Sequence, residues 1–200
     1  MPDASMPADP RATGQELYLL ERAGFFVRRG VFAPLWIRAA RRCIPSARAA
    51  DGPLSRLAHD PRTHALAADI LGPAARIGAV TARDGDVIEP GGWRRVGDPG
   101  DQETIRFTAP LARWVRLIVP GSHAPGYLET SDPAREAVRA AVVPGDLLVW
   151  RPALLHRDII RAPRLEVEAT AAPPDGPGTT LTAHVVARRA APSVPVSDGT

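Results

Sequence analysis

The sequence predicts a domain of the α+β class that is mainly β, with helices at its N-terminus. Helical patterns dominate residues 15–71, and short strand patterns separated by Gly, Pro and Asp turns fill most of residues 75–186. Many short strands after a group of helices are typical of a sandwich or an open barrel. About eight strands suit a double-stranded β-helix, the jelly-roll core of cupin-like proteins, although periodicity alone does not choose among sandwich topologies.

The predicted helices are bounded by glycine and proline. Gly24 and Gly72 mark helix ends, and Pro34 favours the first turn of a helix. The apolar residues between these signals recur at helical spacing, which predicts helices over residues 15–23, 35–42 and 55–71, the last interrupted near Pro61. The apolar pairs at 25–27 and 31–32 predict a short strand and a turn between the first two helices.

The strand patterns begin after Gly72 and continue almost to the end of the chain. A single helical insert, Pro133–Ala141, is predicted to interrupt them. The predicted strands cover residues 75–81, 86–89, 93–96, 104–108, 115–119, 146–150, 164–171 and 180–186.

Length and composition indicate one ordinary globular domain. The chain has 200 residues, 44% of them hydrophobic, which is enough to bury a substantial core. Residues 14–190 are assigned to this domain, residues 1–13 to a disordered N-terminal tail and residues 191–200 to a flexible C-terminal tail. Because no secretory signal and no apolar run of membrane-spanning length is seen, a cytoplasmic location and no membrane partner are expected.

The charge pattern argues against nucleic acid as a partner. The net charge is +3 and all 25 basic residues are arginine, but they are spread along the chain among 22 acidic residues. A nucleic-acid interface needs basic residues clustered on one face. The single cysteine, Cys43, excludes an intrachain disulfide and a cysteine-based zinc site. The oligomeric state is left open.

The segment 115–164 carries the residues with the clearest chemical meaning. Two turns, Pro-Gly-Ser-His at 120–123 and Pro-Gly-Asp at 144–146, each adjoin a strand-like run. The second run ends in His156, and Arg164 opens the strand that follows. An imidazole at a strand end can bind a metal, and a guanidinium fork can hold a carboxylate with two hydrogen bonds.

The strings RLIVPGSH and VVPGDLLVWRPALLHR, in this order and spacing, resemble the phytanoyl-CoA dioxygenase-like family of iron(II)/2-oxoglutarate oxygenases. LYLLERAGFFVRRGVFAP is similar to the family's opening helix and strand, and SRLAHDPRTHALAADILGP to its next helix. The resemblance covers most of residues 15–190. It implies a jelly-roll fold, with Fe(II) and 2-oxoglutarate as cofactors where the family's chemistry is retained.

The resemblance also implies a ligand set, and this chain departs from it. In the family a His-x-Asp pair on one strand and a distal His bind the iron, and three coordination sites stay open for 2-oxoglutarate and O₂. The distal His matches His156. At the position of the pair stand Arg94 and Val96, which cannot ligate iron. The interpretation is that no His-x-Asp pair remains anywhere in the chain, leaving His156 as the only metal ligand and no complete metal site.

Other site residues follow from the same alignment. Arg164 matches the arginine that binds the far carboxylate of 2-oxoglutarate, with Arg161 as the alternative because the spacing from His156 is short. Trp93 and Trp150 flank the expected substrate pocket. His156 and Arg94 are the candidate catalytic residues of a site that favours an anionic or carbonyl-bearing small-molecule ligand.

Three functions stay open at this point. The first is a metal-free relative, a pseudoenzyme in the oxygenase sense, that binds a small molecule or tailors it by a non-redox step. The second is an iron(II)/2-oxoglutarate-dependent hydroxylase with an atypical ligand set. The third is a non-catalytic partner of an active paralogue.

Overall fold

The computed structural model describes residues 9–44, 55–83, 92–98, 103–127, 132–160, 162–171 and 185–187. Its strands form two sheets, and helices cover one face of the larger sheet. The helices are α1 Gly14–Arg22, α2 Pro34–Cys43, α3 Ser55–His59, α4 Pro61–Leu71 and α5 Pro133–Glu136. The strands are β1 Phe25–Arg28, β2 Arg76–Arg83, β3 Thr104–Pro110, β4 Trp114–Ile118, β5 Val138–Val142, β6 Leu147–Trp150, β7 His156–Ile160, β8 Arg164–Thr170 and β9 Val185–Ala187.

The helix boundaries follow local signals in the sequence. Thr13 caps α1 in a capping box with Glu16, and Gly24 follows the helix end with φ of 83°. Proline opens α2 and α4, as its fixed φ favours. Residues 9–13 belong to the segment that the sequence assigned to a disordered tail. In the structure the Ala12 N–H donates to Asp69, and the Arg28 guanidinium donates to backbone carbonyls of this segment.

The two sheets are antiparallel apart from one strand pair. The larger sheet has six strands in the order β1-β6-β3-β8-β2-β9, of which β2 and β9 run parallel, and the smaller has three in the order β5-β4-β7. The connections β3–β4 and β7–β8 each cross from one sheet to the other. This alternation between two facing sheets is a jelly-roll, as the sequence predicted.

Strand alternation separates the core into two layers. Ile105, Phe107 and Val167 lie on the face of the larger sheet that packs against the helices. Trp114, Leu148 and Trp150 belong to a second cluster, which joins strands of both sheets. We call the space between the two sheets the barrel interior. Where one side chain of a strand faces this interior, the side chain two residues along faces it too, because strand residues alternate with period 2.

Three expectations about the strands differ from the structure. The insert Pro133–Ala141 is helical only over Pro133–Glu136, since the Ala- and Arg-rich residues after it form β5 and pair with β4. Residues 93–96 form no strand but a single bridge between Arg94 and His156. His156 opens β7 instead of ending the preceding strand, because β6 stops at Trp150 and a turn follows. The predicted strand 86–89 lies outside the described residues.

Candidate functional site

The polar side chains of the barrel interior come from three strands and one bridging segment. His156 and Asp158 lie two residues apart on β7, and Arg164 and Glu166 lie two apart on β8. Arg116, on the middle strand of the smaller sheet, shares a face with buried Trp114 and Ile118. Alternation therefore points these groups into the same space, and Arg94 enters it from the segment 92–98.

Asp158 is the centre of this cluster. Its carboxylate accepts hydrogen bonds from Arg116 Nε at 2.7 Å and from Arg94 Nη2 at 3.0 Å, and it lies 3.7 Å from Arg164 Nη2. Burial raises the pKa of Asp158, but the charge and hydrogen bond of Arg116 and the charges of Arg164 and Arg94 outweigh burial and lower it to about 2. Asp158 is therefore ionised, and three guanidinium groups share its charge.

Glu166 pairs with the arginine that the family resemblance assigns to 2-oxoglutarate. Arg164 Nε donates to Glu166 Oε1 at 2.8 Å, and both side chains are buried. Burial raises the pKa of Glu166, but the charges of Arg164 and Arg116 lower it to about 2. Arg83 Nε lies 3.4 Å from Glu166 Oε2, and the Arg83 side chain is 39% exposed. Arg164 is thus already bound to carboxylates of its own chain.

His156 is buried and neutral. Its backbone pairs with that of Arg94 through two hydrogen bonds of 2.9 Å. Nδ1 lies 2.8 Å from the Leu154 carbonyl oxygen, which can only accept, so Nδ1 carries the proton and Nε2 keeps the lone pair. Burial and the charge of Arg116 lower the pKa of His156 to about 3.

The two tryptophans predicted to flank the pocket have different surroundings. Trp150 is 1% exposed, stands edge-on to His156 at 5.0 Å between ring centres, and donates from Nε1 to Thr108 Oγ1. Trp93 is half-buried in the bridging segment. Trp150 therefore forms part of the wall beside His156.

The other residues named from the sequence have hydrogen-bond partners outside this cluster or lie outside the described ranges. Val96 donates its backbone N–H to the Pro152 carbonyl and is half-buried. His123 is buried beneath α1 and pairs with the Glu21 carbonyl through Nε2. Arg161 lies outside the described residues.

Sequence reasoning missed Asp158 and Arg116. The prediction that the chain has lost every His-x-Asp pair is wrong, because His156-Arg157-Asp158 has this spacing. The sequence did indicate a buried Arg116. It lies two residues from Trp114 and two from Ile118 in a strand pattern, so it shares their core-facing side.

The described side chains of this interior do not form a ligand set that fits an iron centre. Within the described ranges, no group of three or more His, Cys, Asp and Glu side chains stands close enough to hold a metal ion. His156 offers one lone pair, and the Asp158 carboxylate is hydrogen-bonded to Arg116 and Arg94. A divalent cation at Asp158 would stand beside guanidinium groups of its own sign.

Neither a family model nor a curated protein matches the chain, but solved structures do. Apo HygX from Streptomyces hygroscopicus is 20% identical, with a TM-score of 0.62 over 81% of this chain and 87% of HygX. EctD from S. alaskensis, in a structure with 2-oxoglutarate and 5-hydroxyectoine, is 16% identical, with a TM-score of 0.64 over 91% of this chain and 90% of EctD. AviO1 from Streptomyces viridochromogenes Tue57 is 20% identical, with a TM-score of 0.61 over 82% of this chain and 97% of AviO1.

HygX has also been solved with iron, and with nickel and 2-oxoglutarate. These likenesses span four fifths or more of the chain at low identity, so they establish the fold. None of the helices in the described ranges is long and apolar enough to cross a membrane. The chain has the jelly-roll fold of the iron- and 2-oxoglutarate-dependent oxygenases, as its resemblance to the phytanoyl-CoA dioxygenase-like family implied.

Proposed function

We propose that this protein is a metal-free relative of the oxygenases whose barrel interior binds a small anionic or carbonyl-bearing molecule. The observation that carries the proposal is the cluster of three arginines around the buried Asp158, in the place where the resemblance puts the metal. A site built this way attracts an acceptor or an anion and repels a cation.

Iron binding would have to break an existing ion pair. Arg116 and Asp158 are both buried, with side chains 1% and 2% exposed. Removing one partner of such a pair costs about 3–5 kcal/mol, because the other charge stays buried and unpaired. A metal that recruits Asp158 must offset this cost and the repulsion of Arg94, with His156 as its other ligand.

The arginine that the resemblance assigns to 2-oxoglutarate is already paired with carboxylates of the protein itself. Arg164, which the resemblance assigns to the far carboxylate, already pairs with Glu166 at 2.8 Å and approaches Asp158 at 3.7 Å. A dicarboxylate would bring further negative charge next to these two carboxylates. The ion pairs of this cluster thus disfavour both iron and its cosubstrate.

The chemistry of His156 favours binding over proton transfer. With a pKa of about 3 it holds no second proton at neutral pH and is a weak base. General bases work best with a pKa near the working pH. The Nε2 lone pair can instead accept a hydrogen bond from a ligand, and Arg94 can donate one to its carbonyl or carboxylate. Binding alone, or a non-redox step assisted by these two groups, is the proposed activity.

The test is an anaerobic Fe(II) titration of the purified protein with 2-oxoglutarate, followed by metal analysis and a succinate assay. HygX, which binds iron in its crystal structure, is the positive control. We expect no stoichiometric iron and no succinate above background. Near-equimolar iron together with 2-oxoglutarate-dependent succinate release would overturn the proposal and restore the hydroxylase with an atypical ligand set.

A further inference from the structure

The hydroxyl of Ser122 has two hydrogen-bond partners on different segments of the chain. Oγ donates to the Val119 carbonyl at 2.7 Å and accepts from the Leu155 N–H at 2.8 Å. All three residues are buried. A hydroxyl has one proton, and the Val119 carbonyl can only accept, so a lone pair of Oγ faces Leu155. The serine of the Pro-Gly-Ser-His turn therefore holds the backbone that leads into β7.

The Leu155 N–H belongs to the same peptide unit as the Leu154 carbonyl. The N–H of this unit donates to Ser122 Oγ, and its carbonyl oxygen lies 2.8 Å from His156 Nδ1. The unit is planar and stiff, with its N–H and C=O pointing in opposite directions, so one orientation of the plane serves both hydrogen bonds. Turning the plane away from Ser122 would also turn the carbonyl away from His156.

These three hydrogen bonds form one buried chain from the Val119 carbonyl to the His156 ring. Hydrogen bonds that follow one another in a buried chain polarise and strengthen each other. The direction of the last bond does not depend on the charge of the ring. The Leu154 oxygen can only accept, so Nδ1 carries a proton whether or not Nε2 carries one as well. The chain therefore fixes the orientation of the imidazole, with Nδ1 towards the protein backbone.

The backbone of Ser122 contacts the other segment of the same site. Arg95 Nη1 donates to the Ser122 carbonyl at 2.8 Å. Arg95 follows Arg94, whose backbone pairs with that of His156 through two hydrogen bonds of 2.9 Å. Ser122 thus holds one segment through its hydroxyl and the other through its carbonyl. Both segments carry a polar side chain of the barrel interior, His156 on one and Arg94 on the other.

We propose that Ser122 is the positioning residue of His156. Through the peptide unit between Leu154 and Leu155 it holds Nδ1 as the ring nitrogen that bonds the protein, which makes Nε2 the nitrogen presented to a ligand. The hydrogen bond made by one ring nitrogen decides which nitrogen is left for other partners. The inference rests on the proposed function, since it takes His156 as a group that contacts the ligand, and it adds the residue that sets the orientation of this group.

The experiment observes the ring nitrogens of His156 by NMR in the purified full-length chain labelled with ¹⁵N-histidine. The chain has five histidines, and the signals lost in His156→Gln identify those of His156. We expect a protonated Nδ1 in the wild type. Ser122→Ala removes the acceptor of the Leu155 N–H and should speed the exchange of the Nδ1 proton with water about tenfold or more, the effect of losing one buried hydrogen bond. Ser122→Thr keeps the hydroxyl and should bring the exchange rate back towards that of the wild type.

The matched control is Thr13→Val. Thr13 Oγ1 also accepts from a backbone N–H, that of Glu16 at 3.2 Å, but at the N-terminus of α1. This variant should leave the exchange of the His156 proton unchanged. If Thr13→Val speeds the exchange as much as Ser122→Ala does, the effect is a general loosening and the proposal is refuted. A folded Ser122→Ala with unchanged exchange, or a wild type protonated only at Nε2, would refute it too.

A second measurement uses the wild type alone and so does not depend on the folding of a variant. Because one peptide plane serves both bonds, the Leu155 N–H and the His156 Nδ1 proton should show the same degree of protection from exchange. A Leu155 N–H that exchanges while the His156 proton stays protected would refute the proposal. Neither measurement uses iron. Their failure leaves the metal-free proposal standing, whereas iron uptake in the earlier titration would overturn that proposal and leave the role of Ser122 intact.

Discussion

Substitution of Asp158 by Asn tests whether the arginine cluster is held together by this single carboxylate. The Asp158–Arg116 pair is buried on both sides, with 2.7 Å between Oδ1 and Nε. Asn keeps the volume and one acceptor but removes the charge, so Arg116 stays buried without its counter-charge. The expected loss is about 3–5 kcal/mol of unfolding free energy. At about 2–4 °C per kcal/mol for a domain of this size, the melting temperature should fall by roughly 6–20 °C.

The matched control is Glu168→Gln. Glu168 forms an ion pair of 2.8 Å with Arg106, but its side chain is 44% exposed. Solvent-exposed pairs contribute about 0–1 kcal/mol, so this variant should melt within a few degrees of the wild type. Both variants are compared by urea unfolding followed by tryptophan fluorescence. If Asp158→Asn costs no more than Glu168→Gln, the cluster is not held by Asp158 and the electrostatic argument fails.

Three further outcomes are expected. First, the unfolding free energy should fall as the pH drops from 6.5 towards 3, because His156 binds a proton in the unfolded chain but, with a pKa of about 3, not in the folded one. His156→Gln should reduce the slope of unfolding free energy against pH by up to about 1.4 kcal/mol per pH unit, as measured by urea unfolding. An unchanged slope would contradict the lowered pKa of His156. Second, Arg94→His combined with Val96→Asp should raise iron content towards one per chain in metal analysis, and failure of the folded variant to bind Fe(II) would show that position 94 is not the family's ligand position. Third, Gly24→Ala should lower the melting temperature, since the added Cβ would stand 2.5 Å from His123 Nδ1 at φ of 83°; a melting temperature equal to the wild type would exclude this close contact.

The N-terminal half of the fold could be predicted because its signals are local. Gly24 and Pro34 mark helix boundaries by their own backbone preferences, and α1 and α2 begin and end within a residue or two of the predicted positions. The strands β3 and β8 could be predicted because each alternates apolar and polar residues over seven positions. None of these inferences needs knowledge of what packs against the segment.

The two strands that were missed depend on partners far away in the chain. The run from Val138 to Val142 is rich in alanine, a strong helix former, and becomes β5 because it pairs with β4 across the smaller sheet. β7 has only five residues and begins with three polar ones. Its partner β4 lies about forty residues earlier, from Trp114 to Ile118. Tertiary pairing overrides weak local preference in both cases.

The site was predictable only as far as the alignment reached. Arg94, His156 and Arg164 could be named because the resemblance matches them to positions of a known motif. The structure brings Arg94 and Arg164 to Asp158 and pairs Arg94 with His156. Asp158 and Arg116 could not be paired from the sequence, because the sequence does not state which strand lies beside β7. Their contact exists only once β4 and β7 are neighbours in the sheet.

The cluster shows how a jelly-roll interior can balance a buried carboxylate with arginine. In an oxygenase, the charge of the ligating carboxylate is balanced by a cation taken from solution. In this chain Arg94 and Arg116 donate directly to the Asp158 carboxylate, so the balancing charges are part of the polypeptide. Guanidinium groups suit this role because they stay charged when buried and offer several donors in a fixed plane. The described interior therefore balances Asp158 with residues of its own chain, which is the arrangement that the metal-free proposal requires.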